Sequence, residues 1–249
     1  MTNLRKIAEI CNTSPNFRCK MRYDEPLRFY TTFKVGGNAE VFAQPENIKS
    51  FMHLLCILKT ENVPFWVLGG GSNVVISDTG ITGFTVTTSS LNRIEADNSS
   101  ALVVCEAGCS FEKLTAFCCE NGLSGLEEFA GLPGSVGGAV YMNARCYEKS
   151  ISDVLISVSA LYFSGKECTL QKYDCNKGDW GYKQSPFQPS DKRYAVINGN
   201  RPIIVSATFR VEQGDAILIR KIMENRIADR TAKGHFKLPS AGSAFKNNH

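Results

Sequence analysis

Residues 131–144 read GLPGSVGGAVYMNA, and this stretch decides how the rest of the chain is interpreted. Its first eight residues hold four glycines, one proline and one serine, and an apolar run follows. Glycine adopts backbone angles that other residues avoid and has no side chain to keep a ligand away. Successive exposed N–H groups in such a loop form a concave site for phosphate oxygens. The spacing fits neither a P-loop nor a G-x-G-x-x-G turn, so a ligand loop and an ordinary tight turn both remain open.

A second glycine-rich stretch, residues 69–73, reads GGGSN and lies between two apolar segments. These segments, Phe65–Leu68 and residues 74–77, predict strands because they are rich in apolar and β-branched residues. A Rossmann phosphate turn opens a helix, so a strand–loop–strand unit argues against that fold. Two glycine-rich loops in one sheet domain indicate a long, phosphate-bearing ligand that backbone N–H groups hold at two places.

Composition restricts the class of protein. The 249 residues are 43% hydrophobic, which is enough to bury a core in one large or two modest domains. The net charge is +4, from 28 basic and 24 acidic residues, and no dense basic run occurs, so we expect no nucleic-acid partner. No run approaches the roughly 20 apolar residues of a membrane helix, so we expect no membrane association.

Ten cysteines raise the alternatives of disulfides or a metal site. No pair has the C-x-x-C spacing and the chain has only three histidines, so no zinc pattern is present. Residues 1–14 lack the sustained apolar core of a secretory signal. We therefore expect reduced, mostly buried thiols in a cytoplasmic protein and no bound metal.

Hydrophobic periodicity predicts the main elements. Helices are expected over residues 4–11, 46–61, 111–120 and 216–230, and strands over residues 31–42, 102–106, 154–163 and 203–211. Ser110 and Asp215 are predicted N-caps. The apolar face of the last helix is predicted to comprise Ile219, Ile222, Met223 and Ile227. A domain boundary is expected between Gln213 and Gly214.

The two glycine loops resemble those of the UDP-N-acetylenolpyruvoylglucosamine reductases (MurB), FAD enzymes of peptidoglycan synthesis. Two further motifs, TFKVGG at residues 32–37 and PSAGSAFKN at residues 239–247, match the same family. The resemblance runs from about residue 31 to the last residues and implies the vanillyl-alcohol-oxidase-like fold. The expected class is α+β: a two-part PCMH-type FAD-binding domain over residues 1–213, followed by the start of an α+β substrate-binding domain over residues 214–249.

This resemblance implies NADPH-dependent reduction of UDP-N-acetylenolpyruvoylglucosamine to UDP-N-acetylmuramate through FAD. The implied partners are NADPH as co-substrate and a UDP-sugar, and we expect a monomer. His53 could serve as a site of covalent flavin attachment, as in some proteins of this fold, or it could be an ordinary surface or packing residue. We expect the second, and therefore non-covalent FAD. The residues that the resemblance assigns to FAD are Gly69, Gly70, Gly71, Ser72, Asn73, Pro133, Gly134, Ser135, Gly137, Gly138 and Ala139.

Reduction of an enolpyruvyl ether requires a cation near the carboxylate and a proton donor for the adjacent carbon. The resemblance assigns proton donation to Ser243 and the electrostatic role to Lys183. Relatives usually carry arginine at the position of Lys183. Arginine holds a carboxylate with two parallel N–H bonds, whereas lysine is a point charge on a flexible stem. We therefore expect looser orientation of the substrate and a reduced rate.

Further substrate contacts implied by the resemblance are Tyr182, Arg230, Lys233, Lys246 and Asn247. For Arg230 and Lys233, favourable charge at a helix C-terminus is an equal alternative that needs no ligand.

A second departure from the family begins at Arg145, where the family more often has small residues and glycine. Contact with a phosphate and simple exposure to solvent both remain open for this side chain.

No position matches the glutamate that the family supplies near its C-terminus. The resemblance therefore predicts that part of the substrate domain is missing from this sequence. One alternative function is a flavin- or UDP-sugar-binding homologue without full activity. Another is an oxidase of the same fold acting on a small alcohol.

Overall fold

A computed structural model describes residues 2–97, 99–165, 167–188 and 201–243. The helices are α1 (Thr2–Asn12), α2 (Ile48–Thr60), α3 (Phe111–Glu120), α4 (Val136–Tyr141), α5 (Ile151–Val154) and α6 (Ala216–Ala232). The strands are β1 (Cys19–Pro26), β2 (Asn38–Pro45), β3 (Phe65–Leu68), β4 (Ile81–Thr87), β5 (Ile94–Asp97), β6 (Leu102–Glu106), β7 (Leu123–Ser124), β8 (Arg145–Cys146), β9 (Lys149–Ser150), β10 (Leu155–Ser164), β11 (Glu167–Asp174), β12 (Ile203–Arg210) and β13 (Glu212–Gln213).

Two sheets form the framework of the molecule. The first has the order β1-β2-β4-β3, in which β1 is antiparallel to β2 while β2, β4 and β3 run parallel. The second has the order β11-β10-β12-β6-β5 and is antiparallel throughout. Separate sheets with helices packed against them confirm the predicted α+β class.

The second sheet lies between two hydrophobic cores because side chains alternate along its strands. On β10, Leu161 and Phe163 enter the core that α2 forms with the first sheet. Val158 and Ala160, on the opposite face of the same strand, enter the core formed with α3 and α4. In this second core, the aromatic rings of Phe129 and Phe209 pack against the ring of Phe111. The two parts of the fold therefore share a central sheet.

The sequence predicted the longer helices well. The structure confirms α1, α2, α3 and α6, with Ser110 accepting a bond from Lys113 N and Asp215 accepting one from Ile217 N as N-caps. The predicted apolar face of α6 is only partly correct. Ile219 is buried, whereas Ile227 is 42% exposed. The elements that pack against α6 include α3, β7 and the turn at Glu127–Phe129, and they leave Ile227 partly uncovered.

Two strand predictions are wrong: one predicted strand does not form, and another begins later than predicted. Residues 74–77 form no strand; Val75 is 68% exposed, and Ile76 packs against Gly36. The segment is held by two kinds of contact: Gly37 N donates to Ser77 O, and Ile76 is buried in a small core with Leu27 and Leu68. The strand predicted from residue 31 begins at Asn38, because residues 31–37 form the loop that receives this segment.

Several strands gave no clear sequence signal. The edge strand β11 exposes mostly polar side chains, so it lacks apolar alternation. The strand β1 lies at the other sheet's edge and is likewise polar. Edge strands of this kind form because a partner strand supplies half of their hydrogen bonds.

All ten cysteines are unpaired, and six are buried, in agreement with the expected thiols. Within the described ranges, no cluster of three or more histidine, cysteine or acidic residues is arranged to hold a metal ion. Among the helices of the same ranges, none combines the length and apolar character needed to cross a bilayer.

Candidate functional site

The two glycine-rich loops pack directly against each other. Gly70 N donates to Ser135 Oγ over 3.2 Å, and Ser72 Oγ donates to Pro133 O over 3.2 Å. A Cβ atom on Gly70 would lie only 2.6 Å from Gly134 Cα. Glycine is required here because two backbones approach closer than any side chain allows.

Ser135 is the residue that joins the loops. Its side chain also caps α4 by accepting a bond from Gly138 N over 3.3 Å, and the residue is only 4% exposed. One buried hydroxyl therefore serves as acceptor for both loops. Gly69 lies against the same hydroxyl, since a Cβ on it would fall 2.5 Å from Ser135 Oγ.

Part of this junction keeps backbone N–H groups free. Among the described residues, the N–H groups of Gly71, Ser72, Asn73 and Gly134 have no protein acceptor. Unpaired N–H groups on neighbouring loops are suited to the oxygens of a phosphate or diphosphate.

The later residues of the second loop use their N–H groups internally. Gly137 N donates to Ala107 O over 2.8 Å, and Ala139 N donates to Ser135 O over 2.9 Å. A Cβ on Gly137 would lie 2.8 Å from Ala107 Cβ. Gly137, Gly138 and Ala139 thus provide close packing and a helix start, not free N–H groups.

Thr32 attaches a third segment to the first loop. Thr32 N donates to Gly71 O over 3.1 Å, Thr32 Oγ1 donates to Ser240 O over 2.6 Å, and Ser240 N donates back to Thr32 O over 3.1 Å. Gly242 lies beside Asn73, because a Cβ on it would be 3.7 Å from Asn73 Oδ1. The exposed Ser243 therefore follows directly on a turn held against the first glycine loop.

Tyr182 and Lys183 line a cavity of about 280 Å³ next to the second loop. The other residues of its wall are Asn143, Arg145, Ser150, Ser152, Asp153, Lys177, Trp180 and Gly181. Asn143, which is 4% exposed, joins two walls: its Nδ2 donates to Gly181 O over 2.9 Å, and its Oδ1 accepts from Ser152 N over 3.1 Å. Lys183 has a left-handed backbone with φ of 52°, a conformation that non-glycine residues adopt mainly at constrained sites.

Arg230 and Lys233 lie at the C-terminal end of α6. Arg230 packs against Gly131, where a Cβ would be 2.9 Å from Arg230 Cδ, and its Nη2 donates to Cys146 Sγ over 3.0 Å. Lys233 pairs with Asp229 over 2.7 Å. These partners and the helix C-terminus both favour the cations, while the position of Arg230 also places it against the second glycine loop.

The electrostatics of this end centre on Tyr147, whose OH donates to Asp229 Oδ2 over 2.9 Å. Hydrogen bonds from Lys233 and from Tyr147 lower the pKa of the Asp229 carboxyl. Burial, followed by the bond to Asp229, raises the pKa of Tyr147. Burial raises the pKa of the Cys146 thiol, and Arg230 opposes that shift.

Comparison with known proteins agrees with this geometry. A sequence family described as an FAD binding domain matches residues 39–171. The UDP-N-acetylenolpyruvoylglucosamine reductase of Treponema denticola is 40% identical over 98% of this chain and 77% of its own length. That of Treponema pallidum is 37% identical over 91% of this chain and 73% of its own length. This chain belongs to the UDP-N-acetylenolpyruvoylglucosamine reductase family.

Solved structures support the same assignment. The crystal structure of the reductase of this family from Thermus caldophilus has a TM-score of 0.68 and 27% identity, and the match covers 93% of this chain and 75% of that one. Cholesterol oxidase from Brevibacterium sterolicum has a TM-score of 0.58 at 16% identity over 80% of this chain and 39% of its own, which shows a shared fold alone. The predicted PCMH-type FAD-binding fold is confirmed.

The residues of this reductase-family chain fit an FAD diphosphate. The loops meet where four N–H groups find no acceptor within the described part of the protein, and the glycines there leave no room for side chains. His53 packs its ring 5.5 Å from that of Phe17. Lys246 and Asn247 lie outside the described residues.

Sequence reasoning missed two organising residues. Thr32 lies in a recognised motif, but its bonds to Gly71 and Ser240 join segments more than 200 positions apart. Asn143 lies near the end of the second glycine-rich stretch. This position in the sequence was the only indication that Asn143 lines the cavity.

Proposed function

We propose that this chain reduces UDP-N-acetylenolpyruvoylglucosamine to UDP-N-acetylmuramate, with NADPH as reductant and non-covalently bound FAD. The observation that carries the proposal is the junction of three segments, in which Ser135 joins the two glycine loops and Thr32 attaches the turn before Ser243. The residue proposed as proton donor therefore follows a turn that contacts the loop proposed to bind phosphate. The substrate named for the relatives supports the choice of reaction.

The FAD diphosphate is proposed to accept hydrogen bonds from the N–H groups of Gly71, Ser72, Asn73 and Gly134. Bound FAD supplies the hydride chemistry of the reaction. Pro133 and Gly69 shape the same junction through the contacts described above. The protein contributes a rigid, preorganised set of donors, which costs no reorganisation when the ligand binds.

The protein's own acid–base task falls on Ser243 and Lys183. Reduction of the enolpyruvyl double bond places negative charge on the carbon next to the carboxylate, and that carbon must receive a proton. The hydroxyl of Ser243 donates it, and the ammonium of Lys183 stabilises the developing charge. Tyr182 lies beside Lys183 on the cavity wall and contacts the same part of the substrate.

The remaining proposed substrate contacts lie after Gln213. Arg230 and Lys233, at the end of α6, are proposed to bind the sugar-nucleotide diphosphate beside the second loop, and the same role is proposed for Lys246 and Asn247. We accordingly propose that residues 1–213 bind FAD and that residues 214–249 begin the substrate-binding part.

The test uses the full chain loaded with FAD. NADPH should be consumed beyond the one equivalent that reduces the bound FAD only when the enolpyruvyl sugar nucleotide is present, and the product should gain two hydrogen atoms by mass. In Ser243→Ala, product formation should fall about 10²- to 10⁴-fold, as expected for loss of a general acid, while NADPH still reduces the flavin. The matched control is Ser164→Ala, at an exposed serine on the end of β10.

A yellow protein that consumes no NADPH after addition of the substrate would contradict the proposal. That result would favour the alternative of a flavin-binding homologue without turnover. Substrate-independent oxygen consumption with a small alcohol would instead favour an oxidase.

A further inference from the structure

The cavity beside the second glycine loop brings together two departures of this chain from its family. By the resemblance described above, Lys183 stands where arginine is usual and Arg145 where a small residue is usual, and both residues line this one cavity. We propose that Arg145 supplies the guanidinium that orients the substrate carboxylate, so that the arginine has moved to the facing wall. This inference rests on the proposed function and concerns which residue recognises the enolpyruvyl group.

The fold fixes the distance between the two walls. Asn143 precedes Arg145 by two positions and Gly181 precedes Lys183 by two, and Asn143 Nδ2 donates to Gly181 O over 2.9 Å. Arg145 also begins β8 and pairs with Ser150 of β9. Its stem therefore projects from a short ladder and not from a free loop, which limits where the guanidinium can go.

The charges on the cavity wall suit an anion. Three cations, Arg145, Lys177 and Lys183, face a single carboxylate on Asp153. Lys177 pairs with that carboxylate over 3.7 Å. Among the described residues, Lys183 has no ion pair. The wall thus retains positive charge that no carboxylate of the cavity neutralises.

Arg145 is anchored, but its donors are not exhausted. Its Nε donates to Tyr147 O over 3.2 Å, and its Nη2 pairs with Glu148 Oε2 over 3.0 Å. The Glu148 side chain is 96% exposed, and an ion pair with such a partner contributes little free energy. A guanidinium carries five N–H donors, so Arg145 can bind a ligand carboxylate while the bond to Tyr147 O holds it in place.

In this proposal, Arg145 and Lys183 divide the task that the resemblance assigns to a single arginine. A planar guanidinium holds a carboxylate bidentately and sets its orientation. The Lys183 ammonium is a compact point charge, suited to stabilising charge that develops next to that carboxylate. On this basis, removing Arg145 should affect substrate binding, and removing Lys183 should affect the rate of protonation.

The experiment measures equilibrium binding and needs no turnover. The FAD-loaded full chain, without NADPH, is titrated by calorimetry with UDP-N-acetylenolpyruvoylglucosamine and separately with UDP-N-acetylglucosamine, which lacks the carboxylate. In Arg145→Ala, the enolpyruvyl ligand should bind about ten- to a hundredfold more weakly, as expected for a lost charge-assisted hydrogen bond. Affinity for UDP-N-acetylglucosamine should stay unchanged.

Two further variants sharpen the test. Arg145→Lys should restore only part of the affinity, because the charge returns without the planar pair of donors. The exchange Arg145→Gly with Lys183→Arg should restore most of it, since the arginine then returns to the family's position. Arg93→Ala, at an exposed arginine outside the cavity wall, is the matched control and should bind both ligands as the parent does.

The outcomes separate the two levels of the argument. If Arg145→Ala weakens both ligands equally, or neither, Arg145 does not recognise the carboxylate and the inference is overturned while the proposed function stands. If the parent chain binds neither sugar nucleotide, the proposed function fails and this inference fails with it.

Discussion

The two glycine-rich loops have similar compositions and opposite uses of their backbone. Residues 71–73 of the first loop leave their N–H groups without a protein acceptor, within the described part of the chain. The second loop turns into α4, and its N–H groups from Val136 onward bond within the protein. Glycine thus permits close packing in both loops, and the loops differ in how many of their described N–H groups bond within the protein. The comparison shows that a glycine-rich sequence predicts where two backbones can approach closely. It does not predict which backbone N–H groups remain without a protein acceptor.

The loops also differ in what holds them. The second loop is held by its own serine cap and by β6 and the residues after it. The first loop is held from outside, by Ser135 on one side and Thr32 on the other. Changes at these contacts should therefore disturb the first loop more than the second.

The largest effect is expected from a side chain placed where the loops touch. In Gly70→Ala, the new methyl group would meet Gly134 Cα at 2.6 Å and Ser135 N at 2.7 Å, both backbone atoms that cannot move aside. We expect destabilisation on the order of 3 kcal/mol and loss of bound FAD. Thermal unfolding and flavin content after gel filtration measure both quantities.

The control for that change is Gly138→Ala. There the methyl group would meet only Ser135 Oγ at 3.3 Å, and alanine favours a helix. Equal losses in Gly70→Ala and Gly138→Ala would show that the loops are not packed as described.

Ser135→Ala should have the next largest effect. The change removes the acceptor for Gly70 N and for Gly138 N at a buried position. We expect a loss of about 2 kcal/mol and weaker FAD binding, measured by denaturant unfolding and by flavin fluorescence. Ser110→Ala is the matched cap variant: it loses a single bond, to Lys113 N, at an exposed position and should leave FAD binding intact.

Thr32→Val tests how the segment before Ser243 is attached. The change removes the bond from Thr32 Oγ1 to Ser240 O, and we expect a loss of about 1 kcal/mol. Hydrogen exchange should accelerate in the peptide that contains Ser240 and Gly242. Thr32→Ser keeps the hydroxyl and should behave as the parent; a similar acceleration in both variants would contradict the assigned role.

The smallest effect should come from Tyr147→Phe, near the second loop. Burial and the bond to Asp229 raise the pKa of Tyr147 above its ordinary value of 10.0. The protonated phenol is therefore favoured by folding, so its contribution is complete below pH 10 and is lost as the pH rises through the raised pKa. We expect Tyr147→Phe to lower the free energy of unfolding at neutral pH by about 0.5 kcal/mol.

The same variant should also flatten the alkaline limb of the stability profile. Denaturant titrations between neutral and strongly alkaline pH measure it, with Tyr23→Phe, at an exposed tyrosine on β1, as control. At the acidic end, the lowered pKa of Asp229 has the opposite sign: its contribution is complete above the unfolded pKa and is lost as the pH falls through the folded one. If stability falls at alkaline pH in the same way in Tyr147→Phe and Tyr23→Phe, the titration of Tyr147 does not cause that fall.

The sequence by itself determined the features that depend on neighbours along the chain. Helical periodicity and the caps Ser110 and Asp215 were readable because a helix bonds within its own segment. The α+β class and the FAD-binding family followed from a family resemblance, which the two glycine-rich loops and the motifs at residues 32–37 and 239–247 carry. The polar edge strands and the extended residues 74–77 were not readable, since partner strands supply their bonds or withhold them.

Only the tertiary structure decided which chemical groups meet. Local sequence does not reveal that Ser135 accepts from both loops, that Thr32 holds the turn before Ser243, or that Arg145 shares a cavity wall with Lys183. The bonds from Gly70 to Ser135 and from Thr32 to Ser240, and the shared wall of Arg145 and Lys183, all bring together residues that lie far apart along the chain. Their formation depends on how the two sheets and their cores bring the loops together, and that arrangement is a property of the whole fold.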